Sequence, residues 1–290
     1  MPNKNYKTHF KFCDLEDRYS SWEKSGVAIL PVSYDLTTSY MPGTVAGPKA
    51  IIDASRYIEA YDEETGKEIY KIGVCTLKDS GSKTAKPEVV IKNVETEMLK
   101  VLKSGKFPVI VGGEHSITLG AVKAFKKAVK DFSVLQLDAH MDMRDSFQGS
   151  RYSHACIAKR ITEITGLTQV GIRSLSKEEA KTSPRNLSTI FMKDMADNDK
   201  WIDKAIGSIK AKKVYVTIDM DAFDPSVMPS VGTPEPGGMG WYDALKLFRK
   251  LVRKKEVIGF DVVELAPIKG YISPDFFAAK LIYKFLNYIF

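Results

Sequence analysis

Two carboxylates and an imidazole alternate in residues 135–142, Leu-Gln-Leu-Asp-Ala-His-Met-Asp. An apolar run, 132–137, has the β-branched flavour of a buried parallel strand and ends in Asp138, His140 and Asp142. Successive side chains of an extended chain point to opposite faces, so the i, i+2, i+4 spacing sends all three to one side. Open α/β sheets place their binding crevice just outside the carboxyl ends of the strands. The donor set is mixed oxygen and nitrogen, suited to a divalent metal. Taken alone, the segment has a lesser alternative, a solvated turn that happens to be acidic.

Polar side chains gather after three further apolar runs. Gly112-Gly113-Glu114-His115-Ser116 follows 107–111, Asp219 and Asp221 follow 214–218 with Asp224 behind them, and Glu264 follows 257–263. A double glycine after a strand can cradle a phosphate, but the P-loop lysine and the GxGxxG spacing are both missing. The other reading is that the glycines let the backbone pack tightly while His115 projects into the crevice. Of the chain's 4 histidines, His115, His140 and His154 lie at or near these strand ends. Three histidines beside four aspartates are hard to obtain from packing alone and point to a metal centre. Two imidazoles and four carboxylates are too many ligands for one tetrahedral zinc, and none is a thiolate. They suit two divalent ions sharing carboxylates, with oxygen-rich coordination favouring Mn²⁺. Ions roughly 3.5–4 Å apart can hold a water between them and give hydroxide at neutral pH. Four aspartates balance two dications, so the hydroxide and Glu264 leave the site net negative and attractive to a cation.

Placing these residues requires a regular alternation of elements. Strands are predicted at 26–32, 69–77, 107–111, 132–137, 168–172, 188–192, 214–218 and 257–263. Helices are predicted over 48–58, opened by Pro48, and over 87–104, 117–129, 155–165, 201–209, 242–254 and 275–289. Residues 33–47 and 219–240 read as long loops, and 59–68 as a polar surface excursion. Strands separated by helices mean a mostly parallel sheet covered on both faces. No repeat, low-complexity tract or linker interrupts the chain, so one domain over 1–290 is expected. The apolar face of the last helix (Phe276, Phe277, Leu281, Ile282, Phe285, Leu286) fits a core better than an interface.

Composition narrows the function classes. A chain of 290 residues with 44% hydrophobic and 27% charged side chains is that of an ordinary globular enzyme. No run approaches the ~20 apolar residues that span a bilayer, and residues 1–10 lack the apolar core of a secretory signal, so a cytoplasmic protein without membrane partners is expected. Cys13, Cys75 and Cys156 form no CxxC pair and imply neither a disulfide framework nor a zinc knuckle. The formal charge of +7 does not argue for nucleic acid, because lysines such as Lys123, Lys126, Lys127 and Lys130 are spread along a helix with few aromatics to stack on bases.

Together these blocks resemble the ureohydrolase (arginase/agmatinase) family. The matching stretches are GGEHS at 112–116, DAHMD at 138–142, YSHA at 152–155, DMDAFDPS at 219–226, GTPEPGG at 232–238, the VVEL around Glu264 and the loop at 31–51. The resemblance implies a three-layer α/β/α fold with a central mostly parallel sheet, two Mn²⁺ per chain, and hydrolysis of a guanidinium group to urea and an amine. Carried over position by position, it makes His115, Asp138, Asp142 and Asp219 ligands of one ion. His140, Asp138, Asp219 and Asp221 become ligands of the other, with Asp138 and Asp219 bridging. It implies that a bridging hydroxide attacks the guanidinium carbon and that Asp142 relays a proton to the leaving amine. His154 matches the family's acid/base histidine and Glu264 its guanidinium-binding carboxylate. Glu235, in the GTPEPGG stretch, and Arg144 are further candidate substrate contacts. GTPEPGG looks more like agmatinases than arginases, and Arg144 stands where arginases carry an asparagine that reads the amino-acid carboxylate. Leu30 replaces a usual glycine and Met41 a frequent arginine, both expected at the rim. The leading expectation is hydrolysis of agmatine to putrescine and urea in polyamine biosynthesis. The alternatives are N1-aminopropylagmatine, giving spermidine, and arginine or guanidinobutyrate. A non-catalytic scaffold should have lost a ligand or Glu264, and none is missing. The family's habit implies a homo-oligomer, a trimer or hexamer.

Overall fold

The computed structural model describes residues 10–182 and 184–290. The expectation of no secretory signal falls mostly on residues 1–9, which lie outside the described residues. Eight strands, all pairing in parallel, form one sheet in the order β2-β1-β3-β8-β7-β4-β5-β6. They are β1 Val27–Val32, β2 Val74–Thr76, β3 Phe107–Gly112, β4 Ser133–Leu137, β5 Gly166–Ile172, β6 Leu187–Phe191, β7 Lys213–Asp219 and β8 Glu256–Val263. The helices are α1 Asp17–Ser20, α2 Gly47–Ser55, α3 Pro87–Lys103, α4 Thr118–Ala128, α5 Ile157–Thr162, α6 Lys177–Ala180, α7 Lys200–Ser208, α8 Trp241–Lys254 and α9 Ser273–Ile289. No helix among the described residues is long and apolar enough to cross a membrane.

Alternation along each strand divides the interior into two cores. Ile29, Val109, Leu135, Leu137 and Val216 pack with Ile51 of α2, Ile202 of α7, Phe248 of α8 and Phe285 of α9. Leu30, Ile110, Val134 and Tyr215 face the other way, with Val94 of α3, Phe125 of α4 and Ile161 of α5. Both faces are thus covered, the three-layer α/β/α arrangement that a sheet of apolar strands demands. Each fully buried branched side chain contributes about 1.5–3 kcal/mol of transfer free energy, so the sheet is a rigid platform.

The predicted strand at 69–77 is a correction. Ile69–Ile72 is a 3-10 turn and only Val74–Thr76 pairs, because Gly73 at φ 79° ends the turn in a left-handed conformation. Leu30 is not at the rim but 1% exposed in the core of β1, whereas Met41 is exposed. Within the polar stretch 59–68, Asp62 is buried and tied to the buried Lys284 of α9 at 2.9 Å.

The sheet order decides where chemistry can happen. β3, β8, β7 and β4 are consecutive neighbours, and each is followed by one of the acidic or histidine-bearing segments. Four chain-distant motifs therefore meet at one carboxyl edge.

Candidate metal centre and catalytic cleft

The glycine pair at the end of β3 is a packing device. A Cβ on Gly113 would fall 1.9 Å from the Tyr34 carbonyl oxygen, and one on Gly112 would fall 2.8 Å from Val263 Cγ1. The backbone passes between β8 and the loop after β1, bonded to Val32, Tyr34 and Glu264. His115 follows, fully buried. Its Nε2 lies 2.8 Å from Thr217 Oγ1. That hydroxyl donates its proton to Asp261 Oδ1 at 2.5 Å, so it accepts from Nε2–H. In the neutral ring this leaves Nδ1 as the lone-pair atom. Nδ1 sits 3.0 Å from Asp219 Oδ2, 3.1 Å from Asp138 Oδ2 and 3.8 Å from Asp142 Oδ2, buried and without an aligned hydrogen bond. A lone pair confronting three carboxylate oxygens is repulsive unless a proton or a metal cation lies among them. Burial alone would lower the His115 pKa, but Asp138 and Asp219 push it well up. The oxygen-rich donor set fits a divalent metal that displaces that proton.

A second group adjoins the first. His140 Nδ1 is 2.8 Å from Asp221 Oδ2 and 3.8 Å from Asp138 Oδ1. The donor atoms of His115, Asp138 and Asp219 lie within 4.8 Å of one another, as do those of Asp138, His140 and Asp221, and Asp138 belongs to both groups. Extended alternation does not bring these acids together, contrary to the sequence reasoning. β4 ends at Leu137, and Asp142 has φ 51°. After β7 the chain enters a 3-10 turn, where Asp219 Oδ1 accepts the Asp221 N–H at 2.8 Å. Sharp turns rather than pleat deliver the side chains.

Electrostatics reflect crowded buried acids. Burial, then Asp221, pushes the Asp138 carboxyl up; burial, Asp221 and Asp138 push Asp219 well up. Burial and Asp138 push Asp142 up to about 8. Burial disfavours a charged His140, but Asp221, Asp138 and Asp142 together outweigh it and hold the imidazole at about 11. Burial would raise Asp221, but His140, with the Ala139 N–H and Asp219, overcomes it and holds the carboxyl below the carboxylate range.

His154 and Glu264 form the opposite wall. Glu264 Oε1 accepts the His115 N–H at 2.6 Å and lies 3.6 Å from His154 Nδ1. Burial would lower the His154 pKa, but Glu264 and then Asp142 and Glu114 raise it to about 9. Its Nε2 is buried without a hydrogen-bond partner. The His154 N–H donates to Thr37 Oγ1 at 3.0 Å, and Thr37 donates through both N and Oγ1 to the fully buried Glu114, at 2.6 and 2.5 Å. A cavity of about 250 Å³ opens over these groups, lined among others by His140, Asp142, Arg144, Phe147, Leu175 and Glu264. Arg144 stacks over Phe147 at 5.1 Å and approaches Glu179 at 3.7 Å. Glu235 stands at the edge, its carboxylate 3.9 Å from His140 Nε2.

The structure thus brings His115, Asp138, His140, Asp142, Asp219, Asp221, His154 and Glu264 together, with Arg144 at the mouth and Glu235 outside the lining. Sequence reasoning missed Glu114, Thr217, Asp261 and Gln136, whose Nε2 donates to Asp138 Oδ2 at 2.6 Å. It also missed Arg173, which donates to carbonyls of Asp221, Ala222, Phe223 and Glu235 and so fixes the loop after β7. A signal existed for three of them: Gln136, Thr217 and Asp261 each interrupt an apolar strand two or three residues before a site acid.

Known proteins share this sequence and this fold. The model of the arginase family matches residues 25–287. A Synechocystis sp. protein named N(1)-aminopropylagmatine ureohydrolase is 43% identical over 296 residues, covering 99% of this chain and 96% of the relative. A Pyrococcus horikoshii protein named agmatinase is 34% identical, covering 88% of this chain and 89% of its own. The solved agmatine ureohydrolase of Thermoplasma volcanium superposes with a TM-score of 0.87 at 34% identity, over 97% of this chain and 94% of that one.

Proposed function

The chain belongs to the arginase family, and from that premise we propose that this ureohydrolase takes N1-aminopropylagmatine as its preferred substrate, releasing urea and spermidine. Hydrolysis of a C–N bond in a guanidino compound is the family's reaction. The finer reading is supported by the 43% identity to a relative named for that substrate, against 34% to one named agmatinase. Agmatine, giving putrescine, is the second reading, supported by the agmatine ureohydrolase that shares the fold at 34% identity. The observation that carries the chemistry is the pair of donor groups sharing Asp138 beside Glu264 and His154.

We assign one Mn²⁺ to His115, Asp138, Asp142 and Asp219 and a second to His140, Asp138, Asp219 and Asp221. Bound there, the metal supplies Lewis acidity that makes water a nucleophile at neutral pH. The chain's own groups do the rest. Glu264 receives the planar guanidinium, whose paired N–H donors match a carboxylate. That contact aims the guanidinium carbon at the aspartates. Breaking the bond between that carbon and the alkyl nitrogen requires a proton on the nitrogen. Asp142 accepts the proton lost by the attacking water and relays it to that nitrogen, and His154, with Nε2 free of any protein partner, stands ready to protonate the departing amine. Glu114 and Thr37 hold the His154 backbone in place. The acidic wall suits a cationic amine. Leu175 and Phe147 offer apolar contact to its methylenes, with Arg144 and Glu235 nearer the mouth. The protein is read as cytoplasmic and homo-oligomeric, a trimer or hexamer, which sedimentation velocity tests.

Urea release with Mn²⁺ across four substrates decides between the readings. The expected kcat/KM order is N1-aminopropylagmatine, then agmatine, with arginine and guanidinobutyrate at least about tenfold lower. Agmatine in first place selects the second reading. Arginine in first place defeats both.

A further inference from the structure

Parallel pairing sets five polar residues at one register across the sheet: Thr189 on β6, Gln169 on β5, Gln136 on β4, Thr217 on β7 and Asp261 on β8. Four of them are at most 2% exposed, in strands whose middles are mostly apolar. Buried polar groups need partners, and those of the first three form a directed chain. Thr189 Oγ1 donates to Gln169 Oε1 at 3.2 Å. Gln169 Nε2 donates to Gln136 Oε1 at 3.2 Å and to the Met141 carbonyl at 2.8 Å. Gln136 Nε2 donates to Asp138 Oδ2 at 2.6 Å. Acceptors fix the direction: an ionised carboxylate and a backbone carbonyl cannot donate, so both amides must turn their NH₂ toward the cleft.

Asp138 is the residue common to both donor groups. Its Oδ1 accepts the His140 N–H at 2.6 Å, while Oδ2 takes the Gln136 amide. Two donors, one on each oxygen, lock the carboxylate plane so that one oxygen turns to the His115 side and the other to the His140 side. We propose that Gln136 is a positioning residue for Asp138, its amide oriented by Gln169 and Thr189, and that this chain sets the affinity of the metal centre. Loss of the donor frees Asp138 to rotate and to turn both oxygens toward one group. The inference rests on the metal reading given above.

Manganese titration of metal-stripped, full-length protein by calorimetry tests it independently of turnover. Gln136→Met keeps volume and removes the donor; Mn²⁺ affinity is expected to fall about 10–100-fold, the range for lost outer partners of a ligand. Gln136→His retains an N–H donor at similar reach and is expected to recover most of that loss, which a packing role would not produce. Thr189→Val removes only the head of the chain and is expected to weaken binding a few-fold. Wild-type affinity in Gln136→Met, or equal losses in the Met and His variants, overturns the proposal while leaving the metal reading intact. Wild-type protein that binds no Mn²⁺ overturns both. Should Gln136→Met not fold by circular dichroism, Thr189→Val decides: unchanged affinity there overturns the relay.

Discussion

Asp142 and Glu264 both hold left-handed backbone, at φ 51° and 65°. Few non-glycine residues adopt that region, and strain of order 1–3 kcal/mol persists only where surroundings over-determine it. At Glu264 they do: its N–H is bonded to the Gly113 carbonyl and its carboxylate to the His115 N–H. The carboxylate is therefore pre-aimed. Glu264→Gln keeps shape and removes charge, so Mn²⁺ content should be unchanged while kcat/KM falls by ~100-fold or more, since an unpaired guanidinium loses about 3–5 kcal/mol. Metal-replete Glu264→Gln with near-normal turnover would defeat that role. His154→Ala should lower kcat with metal stoichiometry intact, and added imidazole should restore part of the rate; lost manganese in that variant would instead make His154 a ligand. The acids and histidines were legible in the sequence because their types and spacings are rare. Glu114 was not, although it sits inside the GGEHS block. A buried carboxylate whose partners are Thr37 and Ser116 looks, in sequence, like any polar loop residue.

At the scale of elements, the centre depends on the contact between the turn after β3 and the loop after β1. Gly113 passes against the Tyr34 carbonyl, and Glu114 then grips Thr37, whose hydroxyl receives the His154 N–H. Gly113→Ala would force this contact apart, an overpacking that typically costs 1–3 kcal/mol, here about the upper end because the clash is with backbone. The expected outcome is a lower midpoint in urea denaturation together with a reduced kcat, because the shift displaces His115 and the Thr37 hydroxyl at once. Unchanged stability and rate would show the loop to be pliant. The eight strands could be read from apolar runs, and seven came close in place and length. Their spatial order could not, because parallel strands carry no turn chemistry that names their neighbours. Nor could the 3-10 turn at Met220–Ala222, which positions Asp221, since it is set by a side-chain bond from Asp219 rather than by periodicity.

Across the whole molecule, charge is divided. The chain carries +7 formally, yet its cleft gathers Asp138, Asp142, Asp219, Asp221 and Glu264. Exposed lysines are screened beyond about 8 Å at physiological salt, so the local field governs what enters. That field also governs protons. Asp142 titrates at about 8 and His140 at about 11, so without metal both hold protons at neutral pH that a ligand must release. Mn²⁺ binding should therefore liberate protons, seen as calorimetric heats at pH 7 that depend on the buffer's ionisation enthalpy, and affinity should rise with pH. Stability follows with a definite sign. The His154 pKa, raised to about 9, contributes stability that is present below the unfolded value of roughly 6.5 and lost as pH rises through 9. The raised Asp142 pKa favours the neutral acid, a contribution present below the unfolded value of roughly 3.9 and lost as pH rises through 8. Both make the metal-free protein weaker toward alkaline pH, where deprotonated ligands bind metal best. The rise in Tm on adding saturating Mn²⁺ to EDTA-treated protein should thus be larger at pH 9 than at pH 6. An equal or smaller rise at pH 9 would show that these protons do not compete with the metal.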